Sequence, residues 1–173
     1  MAALAAAAAR NCALKGTGEK MSVPPMKLDP AEERRLAATV FNQVWDLLEK
    51  PDRSPADDDE MLHGAHASRY HWGNAGEPVY WARGEWQCSR VYAVLGRYEP
   101  ALHHAGRCLE LAIKHQLGPF DTGVAHEAIA RSYRIVGDKA KVAGHVAIAQ
   151  AEAAKITDAE DRAILTADLA SLA

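Results

Sequence analysis

Little in this chain suits a β-sheet. Valine, isoleucine and threonine are sparse and only 11 of the 173 residues are aromatic, so the side chains that fill a pleated surface are missing. Alanine, the best helix former, takes their place with 35 residues, about a fifth of the chain. The composition is that of an all-helical protein with small residues at its helix contacts. No apolar run approaches the roughly 18 residues of a membrane-spanning helix, which speaks against a membrane partner. Basic charge is not in surplus either: 20 Lys and Arg stand against 23 Asp and Glu, for a formal net charge of −3. A nucleic-acid binder would need that surplus to neutralise phosphates, so none is expected as a partner. The three cysteines, Cys12, Cys88 and Cys108, follow no metal or CxxC spacing; they read as buried, reduced thiols in a cytoplasmic protein. Gly-rich phosphate loops, a nucleophile elbow and a Cys–His pattern are all missing, so no cofactor or resident metal is expected.

What is present divides into a tail and one domain. Residues 1–28, with the alanine run Met1 to Ala9, Gly16, Gly18 and the Pro24-Pro25 pair, read as a tail or start extension ahead of Met21 or Met26. Residues 29–173 read as a single domain of about seven helices. Asp29-Pro30 with Glu32 is an N-terminal capping pattern, and Leu36, Val40, Val44 and Leu47 follow at helical spacing before Pro51 stops the helix. A polar loop, Asp52 to Pro55, leads to the second helix, whose start carries Asp57, Asp58, Asp59 and Glu60, an acidic first turn that complements the helix dipole, and which is expected to end near Trp72. Four more run from Pro78 to Gly96, from Glu99-Pro100 to Gly118-Pro119, from about Asp121 to Gly137, and onward from Asp138. A seventh opens on the box Thr157-Asp158-Ala159-Glu160 and caps the end over 157–172. Short glycine-centred turns make successive antiparallel hairpins.

Two segments repeat. Ser89-Arg90-Val91-Tyr92 with Gly96 is matched by Ala130-Arg131-Ser132-Tyr133 with Gly137, and both the tyrosines and the glycines are 41 positions apart. With Tyr98, Ala101 and Cys108 in the first copy and Ala149 in the second, the pattern resembles the tetratricopeptide repeat in a long-period form. It covers residues 78–118 and 119–156 well and residues 29–76 only loosely. The resemblance implies an α-solenoid, a short stack of antiparallel helix hairpins. Two clear copies are fewer than such stacks need, so the flanking helices must cover the ends or the chain must form a homo-oligomer.

The resemblance also implies a concave groove lined by the first helix of each hairpin. Arg83, Trp86, Gln87 and Arg90 would face it from one repeat, and Glu127, Arg131 and Arg134 from the next. Four arginines on one face suit a carboxylate, because the guanidinium fork bonds it bidentately, and Trp86 would add an apolar anchor. The first reading is therefore a non-enzymatic module that binds an acidic segment or carboxylate of a protein or peptide, its arginines facing solvent until the ligand arrives. The alternative is a small-molecule or metal pocket, with a possible enzymatic role, built from His63, His66, Tyr70, His71 and Glu85 among the seven aromatics that fall between Tyr70 and Tyr98. There, His63, His66 and Tyr70 share a helix face, and His66 could act as a general base. His103, His104, His126 and His145 read as surface residues.

Overall fold

The structure, a computed structural model, describes residues 27–172. The tail expected over 1–28 lies almost wholly outside the described residues, as does Cys12. Seven helices and no strand are found among those described: α1 Pro30–Glu49, α2 Pro55–Ala75, α3 Pro78–Val94, α4 Tyr98–Lys114, α5 Pro119–Ile135, α6 Lys139–Ala153 and α7 Ala159–Ala170. The chain is an all-α stack of hairpins whose neighbouring helices pack on one another.

Local chemistry starts most of the helices. Asp29 accepts from the Ala31 and Glu32 amides at 2.8 and 2.9 Å while the Glu32 carboxylate returns to the Asp29 amide at 3.1 Å, a complete capping box. The acidic start of α2 is used the same way: Asp57 closes a box with Ser54 and also accepts from Lys50 Nζ at 2.8 Å. Proline occupies the first turn of α1, α2, α3 and α5, where its missing N–H costs nothing. At α7 the cap is Asp158, whose side chain accepts from Glu160 and Asp161; Thr157, expected to cap, stands one residue too early.

The turns that follow α3, α4 and α5 share one geometry. The Arg97 amide reaches back to the Tyr92 carbonyl at 2.9 Å, Leu117 to Ala112 at 2.9 Å, and Asp138 to Tyr133 at 3.2 Å. Each such bond wraps a residue in the left-handed region. Gly96 and Gly137 hold that position with φ of 69° and 72°, as the repeat predicts. In the middle turn it is Gln116, with φ of 51°, not the expected Gly118, so α4 stops sooner than its Gly-Pro pair suggested. Nothing lies within 4 Å of a Cβ built on Gly96, so Gly96→Val isolates backbone strain. It is expected to lower stability by about 1–3 kcal/mol in a urea titration, with no loss of packing.

Stacking places the site. Along the molecule the α1 backbone packs near α3 and that of α3 near α5, whereas the backbones of α2 and α4, and of α4 and α6, stay apart, α2 and α4 touching through the His66 and His104 rings at 5.3 Å. The odd helices thus form a continuous inner layer and the even ones an outer layer. Alanine permits this: Ala37, Ala82, Ala101, Ala105, Ala125, Ala130 and Ala149 are all fully buried. Trp86, Phe120, Val124 and Ile129 fill the larger spaces. Cys88 and Cys108 are buried free thiols, and burial pushes the Cys88 thiol up to about 12, leaving it inert. The last helix, α7, packs on α5 and α6. Leu165, Leu169 and Leu172 turn inward while Ile164 is exposed.

Candidate functional site

The inner layer brings the predicted arginines together, but not as free cations. Glu127 of α5 is fully buried between two of them, 3.4 Å from Arg90 Nη2 and 2.5 Å from Arg131 Nη2. Burial pushes its carboxyl up, against the pull of both guanidiniums. Asp168 of α7 completes the cluster, 2.5 Å from Arg90, and Arg131 donates to the Asp168 carbonyl at 3.2 Å and to Ser171 Oγ at 2.8 Å. Arg83 donates to Asp121 at 2.9 Å and lies over the Phe120 ring. Arg134 donates to the Ser171 carbonyl. The expectation of solvent-facing arginines is therefore corrected for Arg90 and Arg131, whose side chains are only 11% and 17% exposed. The reason is α7, which crosses the inner face and supplies the chain's own acid.

Two other members of the predicted groove are structural ties. Gln87 is fully buried and donates to the Phe41 carbonyl at 2.8 Å, fastening α3 to α1. Trp86 is buried in a row of rings that runs Phe41–Trp45–Trp86–Phe120, at centroid distances of 6.1, 5.3 and 6.4 Å, with Arg90 near both indoles. A hollow of about 400 Å³ opens beside this row, with Arg83, Glu49, Asp161 and Asp168 at its walls.

The histidine cluster is split. His71 leaves the group and pairs with the buried Glu33 of α1 at 2.5 Å, a carboxylate that also accepts from Asn74 at 3.0 Å. Tyr70 is exposed, and His63 lines a separate hollow of about 410 Å³ with Val40, Gln43 and Leu47. His66 bonds Tyr92 through Nε2 at 2.8 Å, and burial and the neighbouring His104 lower its pKa. Glu85 is joined by His104 Nδ1 at 2.6 Å and by Arg69 Nε at 2.8 Å. Against its burial, these bonds hold Glu85 below the ordinary carboxylate range. His104 was expected on a wet outer surface; it is instead packed inward, stacked on Tyr92 at 5.6 Å. A second correction concerns His126 and His145, expected to have no partner: their Nδ1 atoms face each other at 3.0 Å.

A further hollow lies where sequence reasoning did not look, between α6 and α7. It is a trough of about 860 Å³ walled by Val142, Val146, Leu169 and Leu172, with Arg134 and Lys139 beside the Gly137 turn. Among the described residues, no carboxylate lines it. Among the described residues, Lys139 makes no ion pair, and Arg134 meets a carbonyl and not an acid. Lys139 escaped notice because it stands outside the repeat's matching positions.

The class defined by this fold is an all-helical stack of packed hairpins with a charged inner face closed by its last helix. No protein-family model matches the chain, and neither curated proteins nor solved structures yield a match.

Proposed function

We propose that this chain is a non-enzymatic interaction module, similar in plan to tetratricopeptide-repeat proteins, that binds an acidic or carboxylate-bearing segment of a partner protein. The observation that carries this reading is the α6–α7 trough: apolar walls, two cations beside the turn and, among the described residues, no acid to cancel them. Such a surface suits a short amphipathic segment whose apolar side chains enter the trough and whose carboxylate meets Arg134 and Lys139. The chemistry has a counterpart within the chain, since Arg90 already holds the Asp168 carboxylate of a helix. The Arg90–Arg131 seat itself is spent on α7, so the partner's acid falls to the neighbouring cations.

A fluorescein-labelled leucine–glutamate peptide, titrated by anisotropy, tests this. Lys139→Glu and Arg134→Gln should each weaken binding roughly tenfold or more, at about 1.4 kcal/mol per decade, and added salt should weaken it further. Arg107→Gln is the control, since Arg107 is exposed and pairs only with Glu110. Equal binding of a leucine–lysine peptide, or unchanged affinity in both trough variants, would remove the basis for this reading.

A further inference from the structure

The repeat places a second kind of site on the α5–α6 hairpin. Tyr92 and Tyr133 are 41 positions apart, and so are His104 and His145, and Glu85 and His126. Each hairpin therefore stacks a tyrosine on a histidine: Tyr92 on His104 with planes 8° apart, Tyr133 on His145 with planes 16° apart. The two differ in what faces that histidine. In the first hairpin Glu85 accepts from His104 Nδ1 at 2.6 Å, an acid against a base. In the second the acid's place is taken by His126, and two Nδ1 atoms meet at 3.0 Å.

Two imidazole nitrogens at that distance can share only one proton, one donating and the other accepting. Both rings are half-buried, so each keeps a route to solvent. The groups facing the pair are few. Lys141 lies over the Tyr133 ring, while Glu152 of α6 approaches α5 at Gly123, one turn before His126. Burial lowers both histidines, helped at His126 by its partner and at His145 by Lys141, while Glu152 opposes this at His126. Neutral imidazoles with facing lone pairs are what a borderline-soft divalent cation requires. Zinc–nitrogen bonds of about 2.0–2.1 Å at a tetrahedral angle put two ligand nitrogens about 3.3 Å apart, a few tenths of an ångström beyond the separation seen.

We propose that His126 and His145 form a two-histidine site for a transition-metal ion of the zinc class, clipping α5 to α6 through their Nδ1 atoms and leaving the remaining coordination positions to water or to an external donor. The proposal is independent of the trough and of the peptide reading. The ion takes the place of the proton shared between the rings, which passes through solvent to the bare Nε2 of the donor ring, so both imidazoles stay neutral and no net proton is released.

The experiment is a ZnCl2 titration of chelator-stripped full-length chain, followed by calorimetry and thermal melting. One zinc per chain is expected at this pair. At a hundredfold excess over its Kd, the melting temperature should rise by about 5–10 °C. His126→Gln and His145→Gln should each abolish the rise, and the exposed His103→Gln should retain it. Long-range 1H–15N spectra of the unaltered chain need no variant. They should show zinc fixing both rings as the Nε2–H tautomer, with shifted Nδ1 signals. No rise in the unaltered chain, a rise that survives in both variants, or Nδ1 shifts at other histidines instead would each overturn the site.

Discussion

Glu127→Ala should cost the fold about 3–5 kcal/mol, the loss typical of breaking a buried ion pair from one side. The Glu127 side chain is fully buried, with Arg90 at 3.4 Å and Arg131 at 2.5 Å. Removing it leaves two largely buried guanidiniums to share Asp168, and opens a cavity on the inner layer. The gain from pairing is modest in such a cluster, because three or four charges have lost water; the damage comes from orphaning those that remain. Arg90→Ala should therefore also destabilise, by freeing Glu127 and Asp168 of a shared partner. A solvent-facing arginine would instead have cost within about 0.5 kcal/mol. Urea titrations of both variants decide the matter. Near-native stability for Glu127→Ala would mean that the cluster carries no structural role.

The same cluster shows where sequence reasoning stops. Helix boundaries were legible because their signals are local: Asp29-Pro30, the acids Asp57 to Glu60 and the glycines after Tyr92 and Tyr133 act within one turn of chain. Even the miss at α2, which runs on through Gly73 and Asn74 to Ala75, has a tertiary cause. Asn74 donates to Glu33 of α1, and Trp72 stacks on Tyr80 at 4.3 Å, so packing outweighs the roughly 1 kcal/mol cost of a helical glycine. The convergence of Arg90 and Arg131 was also legible, as a consequence of the 41-residue repeat. Their acids were not. Asp168 lies 78 residues from Arg90, and no local pattern says that α7 brings its acid to that side chain. The histidine pairs stand between these cases. Applying the repeat spacing to Glu85 and His104 points directly to His126 and His145, though only the structure shows the nitrogens facing.

Leu165→Ala should cost about 2–5 kcal/mol and act first on α7. Leu165 is fully buried and is the main apolar anchor of a helix only 12 residues long, too short to persist without tertiary contacts. Its pocket exists because α5 carries Gly123. A Cβ there would stand 2.4 Å from Leu165 Cδ2 and 3.4 Å from the Glu152 Cβ. The pair is thus a knob and its hole, which gives the prediction a second, sharper form. Gly123→Ala should be tolerated better in the Leu165→Ala background than alone, with a coupling of about 0.5–3 kcal/mol in a double-mutant cycle. Hydrogen exchange should show the α7 amides losing protection before those of α3 and α5. Once α7 lifts, Arg90 and Arg131 lose Asp168 and Ser171, and the inner face regains uncompensated positive charge. With Leu169 and Leu172 gone from its wall the trough opens as well, so the Leu165→Ala chain should bind the leucine–glutamate peptide at the arginine seat instead, which Arg90→Ala removes and Lys139→Glu leaves intact. Additive costs in the cycle, or uniform loss of protection across all seven helices, would show that α7 is an inseparable part of the stack and that the arginine seat never opens.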